Sequence, residues 1–209
     1  MNFYDLVIKW EGGLGVIADE TAQGGYSNCG VSVSLFYSLS KKLLNVEPTF
    51  ENFKKLNVYQ VQKFIDWFYK TGNLEQIKSN AIKYYLLDFF WGSGYWAWSN
   101  VVKVLNNVYG YSFLDKGKNT LPTSNILQAI NKQNASNFLD DISEQRILFL
   151  NTIGKQPTKA KYLKGWLNRE TAFYKFSKKF IQKNFANSIL IFGLFAAGLL
   201  FLKNQRHQN

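Results

Sequence analysis

One histidine, His207, and one cysteine, Cys29, leave the proton chemistry of this 209-residue chain to its carboxylates, of which there are 14. Zinc hydrolases need His and Cys ligands in threes and fours, and Ser or Cys nucleophiles need a His base within hydrogen-bond reach. Neither set can be assembled, so no metal and no cofactor is expected, and no disulfide can form within the chain. The densest cluster of chemistry-bearing residues is WEGGLGVIADETAQGGYSNCGVS, which holds Glu11, Asp19, Glu20 and Ser27 among six glycines. A carboxylic acid facing a second carboxylate across a gap is the pairing that breaks glycosidic bonds, one giving a proton to the leaving oxygen and the other activating water or attacking the sugar. Glu11 suits the first task. A helix C-terminus disfavours negative charge, and Trp10 with other apolar neighbours would desolvate the carboxyl, so the protonated acid is the expected form. Asp19 and Glu20 are candidates for the second carboxylate, and Ser27 for holding water. Gly12 and Gly13 let the backbone come close to a bulky glycan. A solitary Glu-Gly-Gly also reads as a solvated helix end, and Asp19 and Glu20 equally as turn acids.

The elements that must position these groups are mostly helical. Phe3, Leu6, Val7 and Trp10 follow helical spacing from an Asn2 cap to the Gly12-Gly13 stop, which puts Glu11 at the helix end. Residues 14–31 read as a tight hairpin, the only strand-like stretch. Helices are then expected from Leu35 to Leu43, from Val58 to a Gly72 stop, from a Ser79 cap through Phe89, and from Trp96 to Val108. A loop, YGYSFLDKGKNTLPTS, precedes helices near 124–132, 136–152 and 159–183. Nothing alternates strand with helix as a parallel sheet would.

Around the Gly92 and Gly94 break stand Trp91, Tyr95, Trp96 and Trp98. Exposed aromatic faces stack on sugar rings, and Trp96 is a candidate for that role, although core packing is the commoner use of such residues. Cys29 reads as a small apolar hairpin residue and His207 as tail.

Net charge is +11, which predicts an anionic partner. Lys159, Lys161, Lys164, Arg169, Lys175, Lys178, Lys179 and Lys183 concentrate it on the last helix before residues 184–202, NFANSILIFGLFAAGLLFL, an uncharged run of 19 between Lys183 and Lys203. That length predicts a single-pass transmembrane helix, with the basic helix against lipid headgroups; a buried core helix is the other reading. No nucleic-acid motif is present, so a basic nucleic-acid-binding membrane protein is the runner-up from another class and nucleic acid is not expected as a partner. Asp5 and Glu11 interrupt the one apolar run at the N-terminus, so no signal peptide is expected.

In three places the chain resembles the N-acetylmuramidases of glycoside hydrolase family 108, with a distant similarity to phage-type lysozymes. Glu11-Gly12-Gly13, Asp19, Gly24-Gly25, Ser27 and Gly30-Val31-Ser32 keep the family's spacing. SNAIKYYLLDFFWGSGYWAWSNVVKVLNNVYG, with Asp88, is similar to its central helix pair, and EQRILFLNTIGKQPTKAKYLKGWLNRE to its arginine-aromatic helix (Arg146, Phe149) and Gly165-to-Arg169 signature. Where the family usually has a second aspartate, this chain has Ala22.

The resemblance implies a mainly α, lysozyme-like fold with a short β-hairpin near the N-terminus, to which the residues themselves add the C-terminal transmembrane helix. Its divisions are a catalytic domain at 1–110, a peptidoglycan-binding subdomain at 111–183, an anchor at 184–203 and a polar tail at 204–209. It further implies muramidase activity on bacterial peptidoglycan, with Glu11, Asp19, Glu20 and Ser27 catalytic and Gly12, Gly13, Gly25, Tyr26, Trp96, Trp166 and Arg169 meeting substrate. The alternatives are a lytic transglycosylase, which manages with one glutamate, and an inactive wall-binding protein. The anchor predicts a phage enzyme in a virion's internal membrane or the host inner membrane, acting as the phage enters or lyses its host.

Overall fold

The computed structural model describes residues 2–15, the backbone of 17–20, and residues 25–182. It is mainly helical, with one small antiparallel sheet. Helix α1 (Phe3–Trp10) starts on a reciprocal cap, in which the Asp5 N–H donates to the Asn2 side chain and the Asn2 N–H to the Asp5 carboxylate. Phe3, Leu6 and Val7 form its buried stripe. The helix ends at Glu11, after which Gly12 and Gly13 take the left-handed φ values of +82° and +84° that side-chain-bearing residues avoid.

Strands β1 (Ile17–Glu20), β2 (Gly25–Asn28) and β3 (Val31–Ser32) follow in sheet order β1-β2-β3. A two-residue turn joins β2 to β3 with positive φ at both Cys29 and Gly30, the tight geometry whose twist suits a hairpin. Asn28 is fully buried and donates to the Phe53 carbonyl at 2.9 Å, which fixes the sheet to the helix behind it.

The remaining helices are α2 (Val33–Leu44), α3 (Phe50–Lys54), α4 (Val58–Thr71), α5 (Asn80–Ser93), α6 (Trp96–Tyr109), α7 (Ser124–Lys132), α8 (Ala135–Gly154) and α9, over 163–182. Helix α5 is apolar nearly all round, as a helix surrounded by others must be, and packs against α4, α6 and α8. One core runs from Phe3 and Val7 through Tyr85 and Phe89 to Phe138 and Phe173, so α1 and α9 share it although they lie far apart in sequence. At the start of α9, Leu163 fits into the gap left by Gly154, where a Cβ would lie 2.9 Å from it.

Two expectations are corrected. Among the described residues no helix is long and apolar enough to cross a membrane, so the fold described has no transmembrane helix and the single-pass membrane location that followed from it is withdrawn. The sequence run behind it, 184–202, lies outside the described residues, as does the 204–209 tail. Its uninterrupted apolar core, Ile189 to Leu202, counts 14 residues, short of the roughly 20 that a spanning helix needs. The sheet also has a third strand beyond a simple hairpin, and helix α3 was not anticipated because five residues are too few for periodicity to register.

Candidate active site

Glu11 occupies the junction of α1 and the sheet, and its side chain is 17% exposed. Gly30 is the reason it fits there. A Cβ on Gly30 would lie 2.6 Å from the Glu11 carboxyl carbon, 2.8 Å from Oε2 and 2.9 Å from Cγ, so the glutamate rests directly on the hairpin backbone. The Trp91 indole N–H donates to Glu11 Oε1 at 2.8 Å, and the Arg169 guanidinium donates to the same oxygen. With both donors on Oε1, the other oxygen, Oε2, faces the hairpin.

Arg169 reaches Glu11 from a fixed position. Its Nη2 and Nε donate to Asp88 Oδ1 at 2.7 and 3.0 Å, while Arg146 Nη2 donates to Asp88 Oδ2 at 2.8 Å. Asp88 is completely buried in α5 and carries both arginines. Arg146 Nη1 is also 3.3 Å from Glu170, which accepts from Tyr85 Oη at 2.7 Å and from the Ser143 hydroxyl. Burial works against the charge on both arginines, yet their carboxylate partners, Asp88 foremost, hold both above the ordinary guanidinium value. Burial pushes Glu170 up, against the pull of Arg146 and its hydroxyl donors. The Cys29 thiol next to Glu11 is raised to about 11, by burial first and then by the glutamate's charge, and stays protonated near neutrality.

Glu11 opens onto a cleft of ≈ 250 Å³ whose opposite walls are Ser27 and Ser32 from the sheet, Gly92 and Ser93 from the end of α5, and Trp166 and Arg169 from α9. Two further recesses continue it, one sharing Gly30, Ser32 and Trp91, the other Glu11, Trp166 and Arg169. A groove of this form admits a chain-like substrate past the carboxyl.

Of the residues singled out from sequence, Glu11, Ser27, Trp166 and Arg169 meet at this cleft. Gly12 and Gly13 adjoin Glu11, with open space where each Cβ would be. Asp19 and Glu20 lie on β1, paired in the backbone with Tyr26 and Gly25. Gly25 packs near Val33, exposed Tyr26 rests on Phe50, and exposed Trp96 lies over Phe149 and Gly117; none of the three lines the cleft. Glu11 is surrounded by an indole N–H and a guanidinium rather than by apolar side chains alone, and Arg169 faces this carboxylate.

Sequence reasoning passed over the site roles of Trp91, Gly30 and Asp88. Asp88 left a signal: it is one acid in the apolar run YYLLDFFW, as Arg146 is one base in ILFL surroundings, and lone charges on buried helix faces demand partners. Among the described residues no group of three or more His, Cys, Asp or Glu side chains is placed to hold a metal ion.

Residues 4–94 match the family model for glycosyl hydrolase 108. The fold is similar to the structure of Brucella abortus SagA, with a TM-score of 0.65 and 16% identity over 85% of this chain and 94% of that one. No curated protein gives a significant match. The family match covers α1, the sheet and the helices through α5, and therefore includes Glu11, Ser27, Gly30, Asp88 and Trp91. Over residues 4–94 the chain is similar to glycosyl hydrolase family 108, and that match supports a peptidoglycan-hydrolysing glycosidase of the N-acetylmuramidase type.

Proposed function

We propose that Glu11 is the general acid that cleaves the β-1,4 bond between N-acetylmuramic acid and N-acetylglucosamine. The observation that carries this is the convergence of both Glu11 donors on Oε1, which fixes the carboxyl in the cleft with Oε2 on the hairpin side. A carboxyl anchored through one oxygen presents the other in a fixed direction, as proton transfer to a leaving oxygen requires. For the second carboxylate Asp19 and Glu20, both on β1, are the candidates, and Ser27, which lines the cleft, holds the attacking water. Residues 111–183 serve peptidoglycan binding by furnishing this groove with its α9 wall.

The test is Glu11→Gln in the full chain, incubated with purified sacculi and followed by mass spectrometry of the released glycan. Wild type should produce reducing muramic acid ends and the variant about 10²- to 10⁴-fold fewer, the usual loss when an acid catalyst is removed. Ends of the 1,6-anhydro kind would replace hydrolysis with transglycosylation, and an unimpaired variant would remove Glu11 from the reaction.

A further inference from the structure

One recess of the groove, of ≈ 420 Å³, is walled by Trp10, Tyr162 and Trp166, with Lys161 at its edge, and it shares Glu11 and Arg169 with the catalytic cleft. Tyr162 and Trp166 are stacked, ring centres 5.9 Å apart and planes 25° from parallel, and both are half-buried. Aromatic platforms of this kind accept the C–H face of a pyranose ring. Lys161 is exposed and sits 4.9 Å from the Tyr162 ring centre. Among the described residues it has no carboxylate partner, whereas Lys178 on the same basic segment is held by Asp140. Arg169 is already committed to Glu11 and Asp88. The recess therefore combines a sugar-sized aromatic wall, one uncommitted cation and continuity with the scissile-bond site.

We infer that this recess is a saccharide subsite in which Tyr162 and Trp166 stack on the sugar, and Lys161 pairs with a carboxylate carried on that sugar's substituent. The inference rests on the muramidase reading, since it is the glycan threaded past Glu11 that enters the recess. In wall polymer a carboxylate has two sources: the stem peptide, or the free lactyl group once the peptide has been removed.

Binding is measured with the full-length Glu11→Gln protein, so that no ligand is consumed, on three probes: peptide-bearing glycan strands, amidase-stripped strands and a chito-oligosaccharide, which has no carboxylate. Lys161→Gln should weaken binding of at least one carboxylate-bearing probe about fivefold, as a partly exposed ion pair does, and leave the chito-oligosaccharide unchanged. Which of the two carboxylate probes responds identifies the source. Trp166→Ala should weaken all three at least tenfold, and Trp166→Phe, which keeps a ring, should recover most of the loss. An equal effect of Lys161→Gln on all three probes, or no effect on any, overturns the lysine's role; unchanged binding in Trp166→Ala overturns the subsite. Failure of the muramidase reading appears elsewhere, as absence of reducing ends from wild-type digests, and leaves these binding results to stand on their own.

Discussion

Glu11 and Gly30 form a unit. The glutamate side chain lies where any Cβ at position 30 would be, and the φ of +79° there is itself one that L-residues rarely adopt. Gly30→Ala is therefore expected to act twice. Backbone strain costs about 1–2 kcal/mol of stability, and the methyl group displaces the carboxyl from its Trp91 and Arg169 donors. A displacement of about 1 Å at a catalytic group lowers rates by roughly a hundredfold. Thermal unfolding and glycan-end release, measured on the same protein, separate the two effects: activity should fall far more than the melting temperature predicts. Equal activity per folded molecule would show that the contact does not aim the acid.

Two neighbouring side chains give α9 two functions, with Arg169 turned to the cleft and Glu170 to the interior beside Arg146. Three carboxylates and two guanidiniums share this interior, so full ionisation leaves one excess negative charge, and burial raises Glu170. A carboxyl whose folded-state pKa is raised contributes stability that is intact below its unfolded value and lost as pH climbs through the folded one. Stability of the wild-type protein is thus expected to decline as pH rises above the usual glutamate range. Glu170→Gln, which removes the titrating proton while keeping the side chain's size and one acceptor oxygen, should flatten that decline. Urea midpoints from pH 4 to 8 decide it; parallel curves for the two proteins would place the titration elsewhere.

At the same scale lies the limit of what the sequence discloses. Local signals were legible: Asn2 capping α1, Ser79 opening α5, and Gly12-Gly13 closing the first helix on Glu11. Periodicity likewise located eight of the nine helices among the described residues, because one buried stripe leaves a 3.6-residue imprint. The Glu11–Arg169 contact was not legible, since its partners are 158 positions apart and neither residue's local pattern points to the other. Trp91 was hidden for a different reason: a tryptophan among apolar neighbours looks like core, and it is buried, yet its one polar atom is what the site uses. The transmembrane expectation came from composition without packing.

Over the whole molecule, the net charge of +11 dwarfs any local imbalance in the cleft. Lys164, Lys175 and Lys179 of α9 are exposed, and Lys178 is tied to Asp140 and Ser136. Anionic wall polymer is attracted by this field as a whole, and exposed charges are screened once the Debye length shrinks to roughly 3 Å at 1 M salt. Co-sedimentation with sacculi should accordingly weaken steeply between low and about 1 M salt, while turnover of a small soluble glycan, governed by the cleft, should change little. Salt-insensitive sedimentation would assign wall affinity to the aromatic groove instead.

Glu11 follows α1, whereas the guanidinium that anchors it belongs to α9, 158 positions further along the chain. Until position 169 has been synthesised and has emerged from the exit tunnel, the acid has no such anchor and the groove lacks a wall. A chain cut short before α9 is therefore expected to release no glycan ends from sacculi, and digestion with such a truncation checks it.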